Sequence, residues 1–530
     1  MTSRTDRHQE IDNYLDTLHD FGLTPVNGTS LRQTLIVEHT DYWAASSVRE
    51  SSPWTTPVFE ALTALRTRGG DPVSLAIRPT LMSAEKARSA TLSTRVARRR
   101  ALGYWLANLL QCTIRKPPQL SGTVVLVVYM PAGHTTADAA VLTKRYFGDL
   151  PEVLSSQSLS YSVLLLPTES RPVSYRSRRN PRSHQSVVTN AAVISSFAQP
   201  GALWRAFRNW RVLQRALPRP AKLIEGPTQT SMQVFARVMT RCITESFYGT
   251  IAARTALYTE LFMQALHAAP EAKVVVYPFE GQGWETTLEQ AAARRGVATL
   301  PYLHTVMKPW DLRAHAALRE CAPAGVWVHG PHDEAELVRH GVTLHRVEAL
   351  RYQYLGAARN PNFPRAEGEH QRVGQQVLVT LGADCENSQA EMIAFCEAAQ
   401  RLQPTWKMHV RLHPQCLATQ VPVAGGITTS RGSLSDDLAQ CTSAFLCGTA
   451  APLDSYLFGL PTVALRMSDG FGMNPLEADE RFAYVDTADE AVQWLATAVQ
   501  STGAKTDVAR FFDIASELPK WHSFVKSLTR

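Results

Sequence analysis

The last third of the chain changes hydrophobic period so regularly that few architectures can accommodate it. Strand-like runs QVLVTLG, KMHVRL, GITTS, SAFLCG and TVAL are interleaved with helical segments SQAEMIAFCEAAQRL, SLSDDLAQC and APLDSYLFG, all between Gln376 and Leu465. Switching between a period of two and a period of 3.6 produces right-handed crossovers that keep successive strands parallel. Parallel strands are buried on both faces. The pattern therefore predicts a doubly wound α/β unit whose ligands sit beyond the carboxyl ends of its strands.

The residues before it carry the same signals less evenly. TVVLVVYMP, SVLLLPT, KVVVYPF, VATLPYLHT and GVWVHG read as strands, as does TLIVEH around Leu35, and VFEALTALRTRGG after it has helical spacing. Apolar spacing is mainly helical from Met232 to Pro270, and the basic, aperiodic stretch from Arg171 to Pro200 reads as a loop. GAARNPNFPRAEGEHQRVGQQ has the composition of a linker. This divides the chain into residues 1–365, an α/β domain with helical insertions, and 366–530, a second α/β domain, as expected for 530 residues.

Composition narrows the class. Hydrophobic residues make up 45% and charged residues 19%, which excludes general disorder. No run approaches the ~20 apolar residues of a membrane span. The polar start MTSRTDRHQEIDNYL lacks the apolar core of a signal peptide. Eight scattered cysteines without a C-x-x-C pair suit reduced thiols. A cytoplasmic location is expected, with any membrane contact peripheral, at an inner membrane. Lys and Arg number 54 against 47 Asp and Glu, and two runs, RVARRRALGYW near Arg95 and SYRSRRNPRSHQS near Arg176, hold much of the excess. Such runs meet lipid headgroups, phosphates or acidic glycans, or are simply solvated faces. No nucleic-acid motif is evident, so nucleic acid is not an expected partner.

The unusual residues gather at strand ends. Gly382 follows one strand, and Arg411, His413 and Pro414 end and follow the next. Gly448 and Thr449 precede a helix whose free N–H groups suit a phosphate, or they turn and cap that helix and nothing more. In the first domain Glu280 follows KVVVYPF, with Gly281 giving backbone room and Glu285 at a helix start. A carboxylate at a strand end beside a cleft can act as general base toward a hydroxyl. His304, Lys308, Asp311 and Arg313 follow the next strand and are expected to face the same cleft; Asp311 and Arg313 also read as a structural pair. Neither a Walker loop nor G-x-G-x-x-G is present. His329, His332, His340 and His345 lack H-E-x-x-H spacing and read as solvated or capping. No metal and no cofactor are expected.

Taken in order, YPFEGQGWE, LHTVMKPWDLR, LVTLGADCENS, VRLHP, CGTAAPLDSYLFGLPTVAL and DGFGMNPL resemble a bacterial family of surface carbohydrate biosynthesis proteins linked to O-antigen and capsule. The whole looks like a GT-B glycosyltransferase. That resemblance implies two Rossmann-like doubly wound domains facing a cleft. The His413-Pro414 pair, Thr449 and Glu280-Gly281 are also similar to the pattern of bacterial sialyltransferases and Kdo transferases, in which the histidine meets a CMP phosphate and the acid serves as base. Phe279 and Gly448-Thr449 stand where those families often carry a second acid and paired serines.

The implied protein is a metal-independent glycosyltransferase acting on a glycan or lipid-linked glycan acceptor, with a nucleotide-activated sugar, such as a CMP-linked nonulosonic acid or Kdo, as donor substrate. Glu280 and His304 would be catalytic. Arg411, His413, Pro414, Gly448, Thr449 and Gly382 would bind the nucleotide donor; Lys308, Glu285 and Arg313 would meet an acceptor or a donor carboxylate. A nucleotide-sugar epimerase on the same frame and a non-catalytic glycan-binding or assembly protein stay open.

Overall fold

The computed structural model describes residues 4–38, 40–45, 94–112, 116–131, 134–167, 190–219, 222–223, 236, 239–307, 312–321, 323–353, 355, 376–380, 387–412, 427–430, 434–446, 451–465, 476, 482–498 and 508–528. Two parallel sheets carry the fold. The first comprises β1 (Val124–Met130), β2 (Tyr161–Pro167), β3 (Ala191–Val193), β4 (Val274–Pro278), β5 (Ala298–Tyr302), β6 (Val326–Val328) and β7 (Leu344–Arg346). Its spatial order is β3-β2-β1-β4-β5-β6-β7, with every neighbouring pair parallel. The second comprises β8 (Gln376–Thr380), β9 (Lys407–Arg411), β10 (Ile427–Thr429), β11 (Ser443–Leu446), β12 (Thr462–Leu465) and β13 (Phe482–Val485), in the order β10-β9-β8-β11-β12-β13. It too is parallel throughout. Both are Rossmann-like, doubly wound sheets, the pair expected of a GT-B-like chain.

Alternation of side chains explains the layers. In β1 every residue is buried. Val125, Val127 and Tyr129 face one apolar cluster; Val124, Leu126, Val128 and Met130 face another. The first cluster is closed by α1 (Arg4–Gly22), α2 (Thr94–Gln111), α5 (Pro200–Ala216), α6 (Thr240–Phe247), α7 (Thr250–His267), α8 (Gly283–Arg295) and α9 (Leu312–Cys321). The second lies under α3 (Ala139–Phe147) and α4 (Leu150–Ser156). Around Leu35 only Ile36–Val37 is extended, pairing with Thr40–Asp41, because Leu31–Thr34 forms a helical turn under a Ser30–Gln33 capping box. TLIVEH is therefore not a strand of either large sheet.

The second sheet packs α11 (Asn387–Leu402) and α14 (Ala488–Ala498) on one face, and α12 (Leu434–Gln440) and α13 (Ala451–Phe458) on the other. A further apolar cluster joins the two bodies, bringing Val306, Ala349, Tyr352 and Leu355 against Leu453, Tyr456, Leu457 and Phe482.

The C-terminal residues return toward the first sheet. Val508, Phe511 and Phe512 sit in the apolar cluster shared by both bodies, and Leu518, Trp521 and Val525 pack on the first sheet. The helix α15 (Pro519–Ser527) buries Trp521 completely against Tyr302 and Trp327. Its first N–H groups are satisfied by buried Glu348, which accepts from Lys520 N at 3.0 Å and Trp521 N at 3.2 Å. Arg346 clasps Asp513 through two hydrogen bonds of 2.6 and 2.7 Å.

His329 also departs from expectation. It is fully buried among Tyr302, Tyr352 and Phe512, with Asp333 of α10 (Pro331–Leu337) 2.9 Å away. His340 is likewise half-buried, 2.7 Å from His315, and burial lowers it to about 4. Packing across distant elements outweighs the polar local sequence.

Candidate active site

In the first sheet the strand order reverses between β1 and β4, and a crevice opens outside the carboxyl ends of strands at such a point. Tyr129 is the penultimate residue of β1, Glu280 comes two residues after β4, and His304 two residues after β5. Three adjacent strands thus deliver a phenol, a carboxylate and an imidazole to one place.

The turn after β4 is set by backbone geometry. Gly281 has φ +69°, and a Cβ built there would lie 2.6 Å from the carbonyl carbon and oxygen of Arg313 at the start of α9. Glycine is needed both for the left-handed conformation and for the close approach. The backbone room expected at Gly281 is taken up by the backbone of α9. Arg313 is placed beside the turn through that contact.

Glu285 closes the turn from below. Its carboxylate accepts from Glu280 N and Gly281 N, both at 3.0 Å, and the residue is buried. Burial, then the Glu280 carboxylate, push its acid well above the usual range, against the effect of the backbone N–H groups. Glu285 is occupied in shaping the backbone that carries Glu280.

Glu280 faces the opening, its side chain 27% exposed. Its Oε2 accepts from Gln282 Nε2 at 2.6 Å and Tyr129 Oη at 3.2 Å; its Oε1 lies 3.4 Å from His304 Nε2. Trp284 Nε1 lies 3.2 Å from both Tyr129 Oη and Gln282 Oε1, donating to each, so the two residues that orient the carboxylate are themselves held. Tyr146 closes the wall at 5.7 Å from the Tyr129 ring and 5.4 Å from His304. Burial and, next, Glu280 raise the Tyr129 phenol well above its ordinary range, which keeps it a neutral donor. One carboxylate oxygen is thus anchored by two donors while the other meets a nearly buried imidazole. Such a pair can take a proton from a hydroxyl that enters at Glu280.

Sequence reasoning placed Glu280 and His304 here but missed Tyr129, Tyr146, Gln282 and Trp284 as their supports. A tyrosine at the end of the otherwise apolar run VVLVVYM was the available signal.

On the second sheet Arg411 ends β9 and donates Nη1 to Asp437 Oδ2 at 2.6 Å; Ser430 Oγ donates to the same carboxylate. A donor phosphate there would compete with Asp437 for the guanidinium. Lys308, Asp311, Gly382, His413, Pro414, Gly448 and Thr449 lie outside the described residues. Among the described residues, no group of three or more His, Cys, Asp or Glu is placed to hold a metal.

No protein-family model matches the chain, and no curated protein matches it. Solved structures align along most of its length at low similarity. Arabidopsis thaliana UGT89C1 is 11% identical over 78% of this chain and 100% of its own, with a TM-score of 0.38. The lipopolysaccharide outer core galactosyltransferase WaaB is 8% identical over 77% and 98%, with a TM-score of 0.37. A UDP-N-acetylglucosamine 2-epimerase is 10% identical over 74% and 94%, with a TM-score of 0.33. At these values the alignments add nothing to the strand order already described.

Proposed function

We propose that this chain is a glycosyltransferase that moves a sugar from a nucleotide-activated donor to an acceptor hydroxyl at Glu280. The observation that carries the proposal is the half-open Glu280 carboxylate at the reversal point of the first sheet, anchored by Tyr129 and Gln282 and 3.4 Å from His304. In this scheme Glu280 accepts the proton as the hydroxyl oxygen bonds to the anomeric carbon, and His304 steadies the changing charge. Direct attack with such a base inverts the anomeric configuration.

The donor side rests on sequence and strand order. The second sheet also reverses at its centre, between β8 and β11, and Gly382 and Gly448-Thr449 follow those strands in sequence. His413 and the N–H groups before α13 would neutralise the departing phosphate without a metal. Lys308 would meet a donor carboxylate. A CMP-linked nonulosonic acid or Kdo is the donor implied by the His413-Pro414 resemblance, with a glycan or lipid-linked surface glycan as acceptor.

Thermal shift with CMP, CDP, UDP and GDP identifies the nucleotide, since a ligand at ~100 times its Kd adds about 2.7 kcal/mol. With that donor class and an acceptor panel, Glu280→Gln should abolish transfer without loss of nucleotide binding, and His413→Ala should weaken the nucleotide. Near wild-type turnover in both variants would overturn the assignment. Donor conversion that needs no acceptor would replace it with an epimerase.

A further inference from the structure

The outer face of α2 separates charge from apolar surface along its length, and on α5 the arginines nearest Trp204, Arg205 and Arg208, are paired with Glu260 and Glu38. In α2 the buried side is Ala97, Ala101, Trp105 and Asn108. The outer side begins with exposed Arg95, Arg98, Arg99 and Arg100 and continues with Leu102, Leu106, Leu109 and Leu110, which are 46, 58, 55 and 76% exposed. A soluble helix normally turns such leucines inward.

The neighbouring helix extends the pattern. Arg98 Nε donates to Gln214 at 3.1 Å, and further along, the Trp105 ring lies 5.7 Å from Phe207. Increasing numbers on α2 therefore meet decreasing numbers on α5, so the helices run antiparallel. This brings exposed Arg211 and Arg215 toward the arginine end of α2, and Trp204, 64% exposed, toward its leucine end. The Trp204 ring sits 6.1 Å from Phe207, on the same aromatic row that joins the two helices.

We propose that this face docks on the surface of a lipid bilayer bearing anionic headgroups. Two antiparallel helices with guanidinium groups toward one end and leucines and an indole toward the other match a phosphate layer above an acyl boundary when the leucine end tips into the bilayer. The leucines and Trp204 enter the boundary, and the arginines meet headgroup phosphates. The contact is peripheral, because among the described residues no helix is long and apolar enough to cross a membrane. It does not depend on the transfer reaction.

Flotation of the full chain with phosphatidylcholine vesicles, with and without one third phosphatidylglycerol, tests the proposal; that share is roughly enough to attract a basic face. The wild type should float with the anionic vesicles only and detach as salt rises. Arg95→Glu/Arg99→Glu and Leu106→Glu/Leu110→Glu should each lower partition by roughly tenfold or more. Leu106→Gln/Leu110→Gln, checked by circular dichroism, separates lost docking from lost folding and should weaken flotation with an unchanged spectrum. Equal flotation with neutral vesicles, or wild-type flotation by all variants, would overturn it. So would a dimer in sedimentation that the leucine variants dissociate while no vesicle binds.

Discussion

The two sheets share one strand order, yet their reversal points are furnished differently. In the first, β1 and β4 deliver bulky, mutually hydrogen-bonded side chains: Tyr129, Glu280, Gln282 and Trp284. In the second, β8 and β11 are followed in sequence by Gly382-Ala383 and Gly448-Thr449, small residues suited to offering backbone N–H groups. The same strand order is thus followed by a side-chain network in one sheet and, in sequence, by small residues in the other.

Glu280→Gln should produce the largest change, about a thousandfold loss of kcat with the thermal midpoint preserved, because general-base groups contribute roughly 10²–10⁴-fold. Steady-state kinetics beside a melting curve checks this. Glu285→Ala should reverse that profile. It leaves two backbone N–H groups without their acceptor, at about 1–3 kcal/mol each, and urea denaturation should report a loss of about 2–5 kcal/mol. If Glu280→Gln unfolds the protein and Glu285→Ala does not, the contrast between the two acids is wrong.

A pH series refines the second result. Below its ordinary value of 4.5, Glu285 is protonated folded and unfolded, and its contribution is fully present. As pH rises from there toward the raised native value, the unfolded acid ionises while the buried one stays protonated, so folding must take up a proton and that stability is lost. Urea midpoints taken upward from pH 4.5 should fall more steeply for wild type than for Glu285→Gln. The smallest effect concerns the other sheet. Asp437→Ala releases Arg411, and nucleotide affinity by calorimetry should rise a few-fold, about the worth of one partly exposed ion pair, and vanish in high salt.

The central strands were legible because parallel strands covered on both faces need unbroken apolar runs such as VVLVVYM and VVVYP. The strands that escaped notice, β3, β7 and β13, are all sheet edges. An edge strand is covered less completely and is short here: AAV and LHR span three residues each, and FAYV, with its two middle residues half-buried, spans four. Glu280 and His304 were legible from their positions after strands. Tyr129 was not, because its bond to Glu280 joins residues far apart in sequence, and no local period encodes that pairing. Glu285 shows the opposite difficulty. Its helix-start position looks ordinary, and only the fold shows that both oxygens face backward onto the turn.

The return of α15 to the first sheet has a consequence for biosynthesis. Trp521 completes the surface formed by Tyr302 and Trp327, yet it leaves the ribosome after the whole second sheet has been made. At ordinary synthesis rates that interval is on the order of ten seconds or more. During it the nascent first domain exposes an aromatic surface and lacks the partner of Glu348. A chain truncated before Pro519 would remain permanently in that state.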